Sequence, residues 1–362
     1  MNLNKCIRCF LAAAGLAAVC GWLTATAAGA DAPKKLVIFN WSQYMNPAII
    51  KTFEKRYHAH VVQSYYDSNA QLFAKLSAGG ASQYDIIVPS NYYVPRLIHA
   101  GLLQPLNHRL IPNLANLKPR FKNPPFDPHN RYTAAYQWGT TGIVYNTARI
   151  QGSPDSWSML FRQGALNGQP FAMDNEPQVM LGAACAFQGN GYRCRSQKKL
   201  KHAARLIAQT SQRPNFSGFV AGTPALKQLA RGNVAAVVAY NGDYVFDKSH
   251  NPKAYADTRF VVPRKGAELW VDNMAIPAHA PHPRLANKFI NFVLRARIGA
   301  KLSNYNSYAT PNAKSQPLLE PALKQPPVTP TPAQMRRLHY TPALKGSKLR
   351  LVNQLWTEIK AR

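Results

Sequence analysis

The sequence predicts an α/β protein of two lobes, each a mainly parallel sheet flanked by helices, with a ligand held in the cleft between them. Three observations lead there. Apolar runs of strand length alternate with amphipathic helical stretches, the order that builds parallel sheets with right-handed crossovers. The alternation occurs twice, once in the first hundred residues and again from about residue 142 to 270. Aromatic residues and carboxylates cluster just after the strands, at the ends where open α/β sheets bind ligands.

In the first unit, residues 36–39 form an apolar strand, and Asn46-Pro47 opens a helix with proline in its first turn. Ile49, Ile50, Phe53 and Tyr57 share one face of that helix. Residues 61–66 are the second strand. Ser68 or Asn69 caps a helix carrying Leu72, Phe73 and Leu76, which Gly79-Gly80 stops. Residues 84–88 are the third strand, and a helix begins near Tyr93-Val94-Pro95 and ends at Gly101. In the second unit, residues 143–145, 171–173, 235–239 and 259–262 read as strands. Helices start at Pro177, span 199–210, and begin at Thr223-Pro224. The chain then returns through a strand at 270–276 and a helix at 284–295 that buries Leu285, Phe289, Phe292 and Val293.

The first thirty residues read as a signal peptide. Lys5 and Arg8 precede an apolar stretch, and Ala27-Ala28-Gly29-Ala30 offers small residues for cleavage. Export to the periplasm follows from it. Cys6, Cys9 and Cys20 would leave with this segment. Cys185 and Cys194 remain, and in an oxidising compartment they are expected to form one disulfide, two free thiols being the alternative.

Charge is the most unusual property. The chain has 44 Lys and Arg but only 15 Asp and Glu. Without Lys5 and Arg8, 42 basic residues face 15 acids, a net charge of +27. Such a balance raises nucleic acid or an anionic membrane as partner, but the basic residues are dispersed, which favours neither. An acidic compartment is a second cause, because carboxylates there lose their solvating charge while Lys and Arg keep theirs. No Walker loop, zincin motif or nucleophile elbow is present, so neither an enzyme nor a cofactor or metal is expected. His58 and His60 share a strand face in Tyr57-His58-Ala59-His60 without nearby acids, and a packing or surface role outweighs a metal site.

The few acids nevertheless stand beside aromatic residues, a combination suited to organic cations: rings attract the charge and carboxylates fix the nitrogens. The carrying segments are Phe39-Asn40-Trp41-Ser42-Gln43-Tyr44, Tyr66-Asp67-Ser68-Asn69 and Pro89-Ser90-Asn91-Tyr92-Tyr93. Further on come Pro125-Phe126-Asp127-Pro128, Tyr136-Gln137-Trp138-Gly139, Trp270-Val271-Asp272-Asn273 and Tyr308-Ala309-Thr310-Pro311-Asn312. In these segments the chain resembles the periplasmic spermidine/putrescine-binding proteins of polyamine ABC transporters. The resemblance implies the type II-like periplasmic-binding-protein fold. Residues 31–141 with 271–316 would form lobe 1, and 142–270 with 317–362 lobe 2. Hinge crossings are implied near 139–142, 270 and 316.

It also implies ligand contacts. Trp41, Ser42, Tyr44, Ser90 and Tyr92 would form the first lobe's half of the site. Tyr240 stands where the family usually has a tryptophan, and Asp243 matches an acid of the putrescine-binding branch. Trp270, Asp272 and Tyr308 match further pocket positions. Where spermidine binders carry an Asp and a Glu after the 171–173 strand, this chain aligns Asn175 and Gln178, although a small shift would bring Asp174 or Glu176 into place. Amides there favour a diamine such as putrescine over spermidine. The implied partners are a small organic amine and an inner-membrane ABC transporter permease, without nucleic acid, for a monomeric protein. An amine sensor on the same fold and a basic polyanion binder are the alternatives.

Overall fold

The computed structural model describes residues 34–152 and 154–361. The expected signal peptide lies outside the described residues. Eleven strands are hydrogen-bonded into one mixed sheet: β1 (Lys34–Asn40), β2 (Ala59–Tyr65), β3 (Ile86–Ile87), β4 (Leu103–Gln104), β5 (Thr133–Asn146), β6 (Phe171–Met173), β7 (Phe216–Phe219), β8 (Ala236–Tyr240), β9 (Thr258–Val261), β10 (Ala267–Pro277) and β11 (Leu338–Tyr340). The order is β2-β1-β3-β10-β5-β8-β6-β7, with β4 and β11 also paired to β10 and β9 to β5.

Two parallel blocks flank an antiparallel centre. β2, β1 and β3 are parallel to one another, and so are β8, β6 and β7. Between them run β5 and β10, antiparallel to each other and to their outer neighbours β8 and β3. β5 changes partner midway: Thr140 is opposite Leu269 of β10, whereas Thr141 is opposite Tyr240 of β8. Sequence reading saw only residues 143–145 of this 14-residue strand. All but its last residue are buried, so it lacks the in–out alternation that marks a half-exposed strand.

Local chemistry explains the flanking helices. Asn46 caps Pro47–Tyr57 by accepting a hydrogen bond from the Ala48 amide, and Ile49, Ile50 and Phe53 are buried. Ser68, rather than Asn69, caps Asn69–Ser77. The helix Pro283–Val293 buries Leu285, Phe289, Phe292 and Val293 as its periodicity predicts. His58 is not in a strand: it ends the first helix in the left-handed region at φ 47°, and His60 of β2 lies 3.4 Å from Glu54. The third strand is shorter than expected, two residues instead of five.

Cys185 and Cys194 are joined in a disulfide at the end of helix Pro177–Phe187. The Pro-rich C-terminal region resolves into β11, which extends the sheet alongside β10, and the helix Gly346–Lys360, which packs on helices Pro177–Phe187 and Gln197–Ser211. Among the described residues no helix is long and apolar enough to cross a membrane.

Candidate ligand-binding site

A cavity of about 560 Å³ opens where the carboxyl ends of both parallel blocks converge. Trp41, Ser42 and Tyr44 reach it from the end of β1, Ser90 and Tyr92 from beyond β3, and Tyr240 and Asp243 from the end of β8. Asn175 and Glu176 follow β6, and Thr223 follows β7. β10 passes between the blocks and lends the cavity one face, Glu268, Trp270 and Asp272 at every second position. Asn306 and Tyr308 complete the wall.

The aromatic residues form a connected frame. Tyr44 meets Tyr308 edge to face at 5.5 Å between ring centres, Tyr308 meets Trp270 at 5.0 Å, and Trp270 meets Tyr240 at 6.0 Å. Edge-to-face packing leaves flat ring surfaces free for a methylene chain. Two glycines make this frame possible. A Cβ on Gly139 would lie 2.3 Å from the Trp270 ring, and one on Gly242 only 2.1 Å from that of Tyr308. Opposite, the Trp41 indole donates to the Val88 carbonyl at 3.0 Å and packs on Tyr66.

Six of the chain's fifteen acids line this cavity: Asp67, Glu176, Asp243, Asp247, Glu268 and Asp272. Among the described residues no Lys, Arg or His lines it. Neutral donors hold the acids instead. Asp272 accepts from the Ser90 hydroxyl at 2.6 Å and the Tyr44 hydroxyl at 2.9 Å. Asn69 fixes Ser90 in turn: its side-chain oxygen accepts from the Ser90 amide, and its amide group donates to the Ser90 hydroxyl at 3.0 Å and that of Tyr92 at 3.2 Å. Asp243, in the first turn of helix Asn241–His250, accepts from the Tyr308 hydroxyl. Glu268 accepts from Thr141 at 2.5 Å and from Thr341.

Burial raises the acids. It pushes Asp272 up to about 7 against the hydrogen bonds from Ser90 and Tyr44. Burial raises Glu176 to about 7, with the charge of Glu268 adding to it, and Asp243 to about 6 against the Tyr308 hydrogen bond. Glu268 is raised by burial, and Thr141 and Thr341 oppose the shift. A site that penalises its own negative charge in this way is stabilised when a cation arrives.

Eleven of the twelve expected contact residues line the cavity: Trp41, Ser42, Tyr44, Ser90, Tyr92, Asn175, Tyr240, Asp243, Trp270, Asp272 and Tyr308. Gln178 does not. It is the second residue of helix Pro177–Phe187, two past the cap at Glu176, and it is Glu176 that lines the cavity. Asn175 is exposed at the rim, its side-chain oxygen 3.4 Å from the Lys360 ammonium. Asp174 is fully buried and absent from the wall. Asp85 is structural: it accepts from the Val37 and His282 amides. Asp67 also lines the cavity.

Sequence reasoning missed Glu268, although the signal was present: counting back in twos from Asp272 and Trp270 along a strand gives Glu268. With Glu176 and Glu268 on the wall, the two aligned amides do not leave the cavity short of carboxylates.

The comparisons agree with this architecture. Residues 48–331 match the family described as bacterial extracellular solute-binding protein. A putrescine/cadaverine-binding protein of Pseudomonas aeruginosa is 33% identical over 94% of this chain and 97% of its own length. The spermidine/putrescine-binding periplasmic protein of Escherichia coli K12 is 31% identical over 88% of each. Among solved structures, a spermidine/putrescine ABC transporter protein from Listeria monocytogenes superposes with a TM-score of 0.81 at 30% identity, covering 90% of this chain and 99% of that one. These relatives are binding proteins rather than enzymes. The chain belongs to the bacterial extracellular solute-binding proteins, in their periplasmic spermidine/putrescine-binding family.

Proposed function

We propose that this protein, exported through cleavage of residues 1–30, captures a polyamine or related organic amine in the periplasm and delivers it to an ABC transporter permease. It acts as a monomer. Residues 31–141 with 271–316 form one lobe and 142–270 with 317–362 the other, and the cavity lies between them. The partner change of β5 at Thr140–Thr141 supports a crossing there, and the pairing of β11 with the first residues of β10 supports assigning the C-terminal region to the second lobe.

One observation carries the ligand assignment: in a chain of formal charge +29, the cavity gathers six acids and, among the described residues, no basic side chain. An ammonium 4 Å from one such carboxylate gains roughly 4 kcal/mol at an effective dielectric near 20, before desolvation. Exposed lysines beyond the ~8 Å screening length of physiological salt scarcely oppose it. The aromatic frame excludes water and takes the methylene chain. The names of the relatives support the same ligand class.

Calorimetric titration with putrescine, spermidine, agmatine and a neutral diol tests the reading. Saturable binding of amines with none of the diol is expected. A protein that binds no amine would overturn the ligand assignment while leaving the fold intact.

A further inference from the structure

We propose that Glu268 is the second charge pole of the cavity and selects amines whose terminal ammonium groups lie about 11 Å apart, the length of a linear triamine, over short diamines. The inference rests on the amine reading above and adds a length requirement to it.

Glu268 and Asp272 belong to the same face of the same strand, four residues apart, with Trp270 between them. At ~3.3 Å per residue their Cα atoms are about 13 Å apart. The two acids are held alike. Each has both carboxylate oxygens engaged by hydroxyl donors, Ser90 and Tyr44 at one pole, Thr141 and Thr341 at the other. Hydroxyls orient a carboxylate without neutralising it, and every oxygen keeps acceptor capacity for a ligand. Both residues are nearly inaccessible, at 3% exposure for Glu268 and 7% for Asp272. A buried carboxylate without a cation is costly, so two of them in one cavity define two places for positive charge.

The Glu268 pole has further acidic support. Glu176 lines the same cavity and feels the charge of Glu268. Asp174, fully buried, also interacts with both, and its Oδ2 makes no hydrogen bond. A fully extended chain advances ~1.2 Å per bond, so the five bonds between the nitrogens of 1,4-diaminobutane span only about 6 Å. The nine bonds of spermidine or 1,8-diaminooctane span about 11 Å and reach between the poles across the Trp270 ring.

The test is a length series of α,ω-diamines from four to ten carbons, with spermidine, titrated into the wild type and Glu268→Gln. In the wild type, affinity should rise at least about tenfold between diaminobutane and diaminooctane. Glu268→Gln should abolish that rise, weakening the eight-carbon diamine and spermidine by about tenfold or more and diaminobutane by less than about threefold. Equal losses for short and long amines, or no loss for either, would overturn the assignment of Glu268. Should the variant not fold, the length series on the wild type decides: an affinity independent of length contradicts two poles. Failure to bind any amine would instead overturn the functional reading itself.

Discussion

The wall of the cavity and the exposed face of helix Gln197–Ser211 are opposite in every electrostatic respect. The helix presents Lys198, Lys199, Lys201 and Arg205 to solvent, within a stretch, residues 177–242, that contains no acid at all. The cavity presents carboxylates and, among the described residues, no basic group. Charge in this protein is sorted by burial. Water screens the lysines within a Debye length, whereas the buried acids act in a poorly screened site. A net charge of +29 therefore says little about what the molecule holds, because affinity is set within the few ångströms around the ligand.

Several experiments would break or sharpen that contrast. The largest effect is expected at Asp272. Replacing it with Asn keeps an acceptor for Ser90 or Tyr44 but removes the charge, and should weaken every amine by about 30-fold or more, read by calorimetry. Asp174→Asn, outside the cavity wall, should cost less. Gly242→Ala comes next. Its Cβ would collide with the Tyr308 ring and drive it from Asp243, destabilising the protein by about 1–3 kcal/mol in a thermal melt. Amine affinity should fall about tenfold in the same variant.

Acidity should act in opposite directions on folding and binding. Asp272 and Glu176 near 7 and Asp243 near 6 lie above the ~4 of carboxylates in the unfolded chain. The folded state thus holds protons that the unfolded state has released, and their contribution to stability is complete below about pH 4 and lost as pH rises through 6 to 7. The unliganded protein should melt at higher temperature at pH 5 than at pH 7.5, while amine affinity falls over the same interval. A melting temperature that drops on acidification to pH 5 would contradict the pKa assignments, and with them the idea that the excess of Lys and Arg suits acidic surroundings. The smallest effect belongs to the surface. Neutralising Lys198 and Lys199 should leave equilibrium affinity within about twofold. Raising salt from about 10 to about 150 mM should speed amine association in stopped flow by screening the repulsion.

Much of this contrast was legible in the sequence because strand ends are marked locally. Trp41, Ser90, Tyr240 and Trp270 each follow or occupy an apolar run, and the topology delivers them to one place. The failures have physical causes. Around Pro177 the chain leaves β6 and caps a helix, and no periodicity tells which of Asp174, Asn175, Glu176 and Gln178 turns inward; Asn175 and Glu176 line the cavity, and Asp174 and Gln178 do not. Glu268 was missed because an acid before Leu269-Trp270 reads as the polar edge of a strand that in fact begins at Ala267. Its partner Thr341 lies 73 residues away in a segment with no recognisable pattern, a contact that only the folded sheet creates.

In the proposed function it is the buried carboxylates, not the rings or the exterior, that meet the ligand's charge. Proton release on binding tests this most directly. Linear amines are fully protonated near neutral pH, so any proton lost comes from the protein. Calorimetry of spermidine binding near pH 6.5 in two buffers of different ionisation enthalpy should show about one to two protons released, as Asp272 and its neighbours ionise against the ammonium groups. Identical heats in the two buffers, with binding otherwise intact, would mean that these acids do not hold the cation and would contradict the central claim.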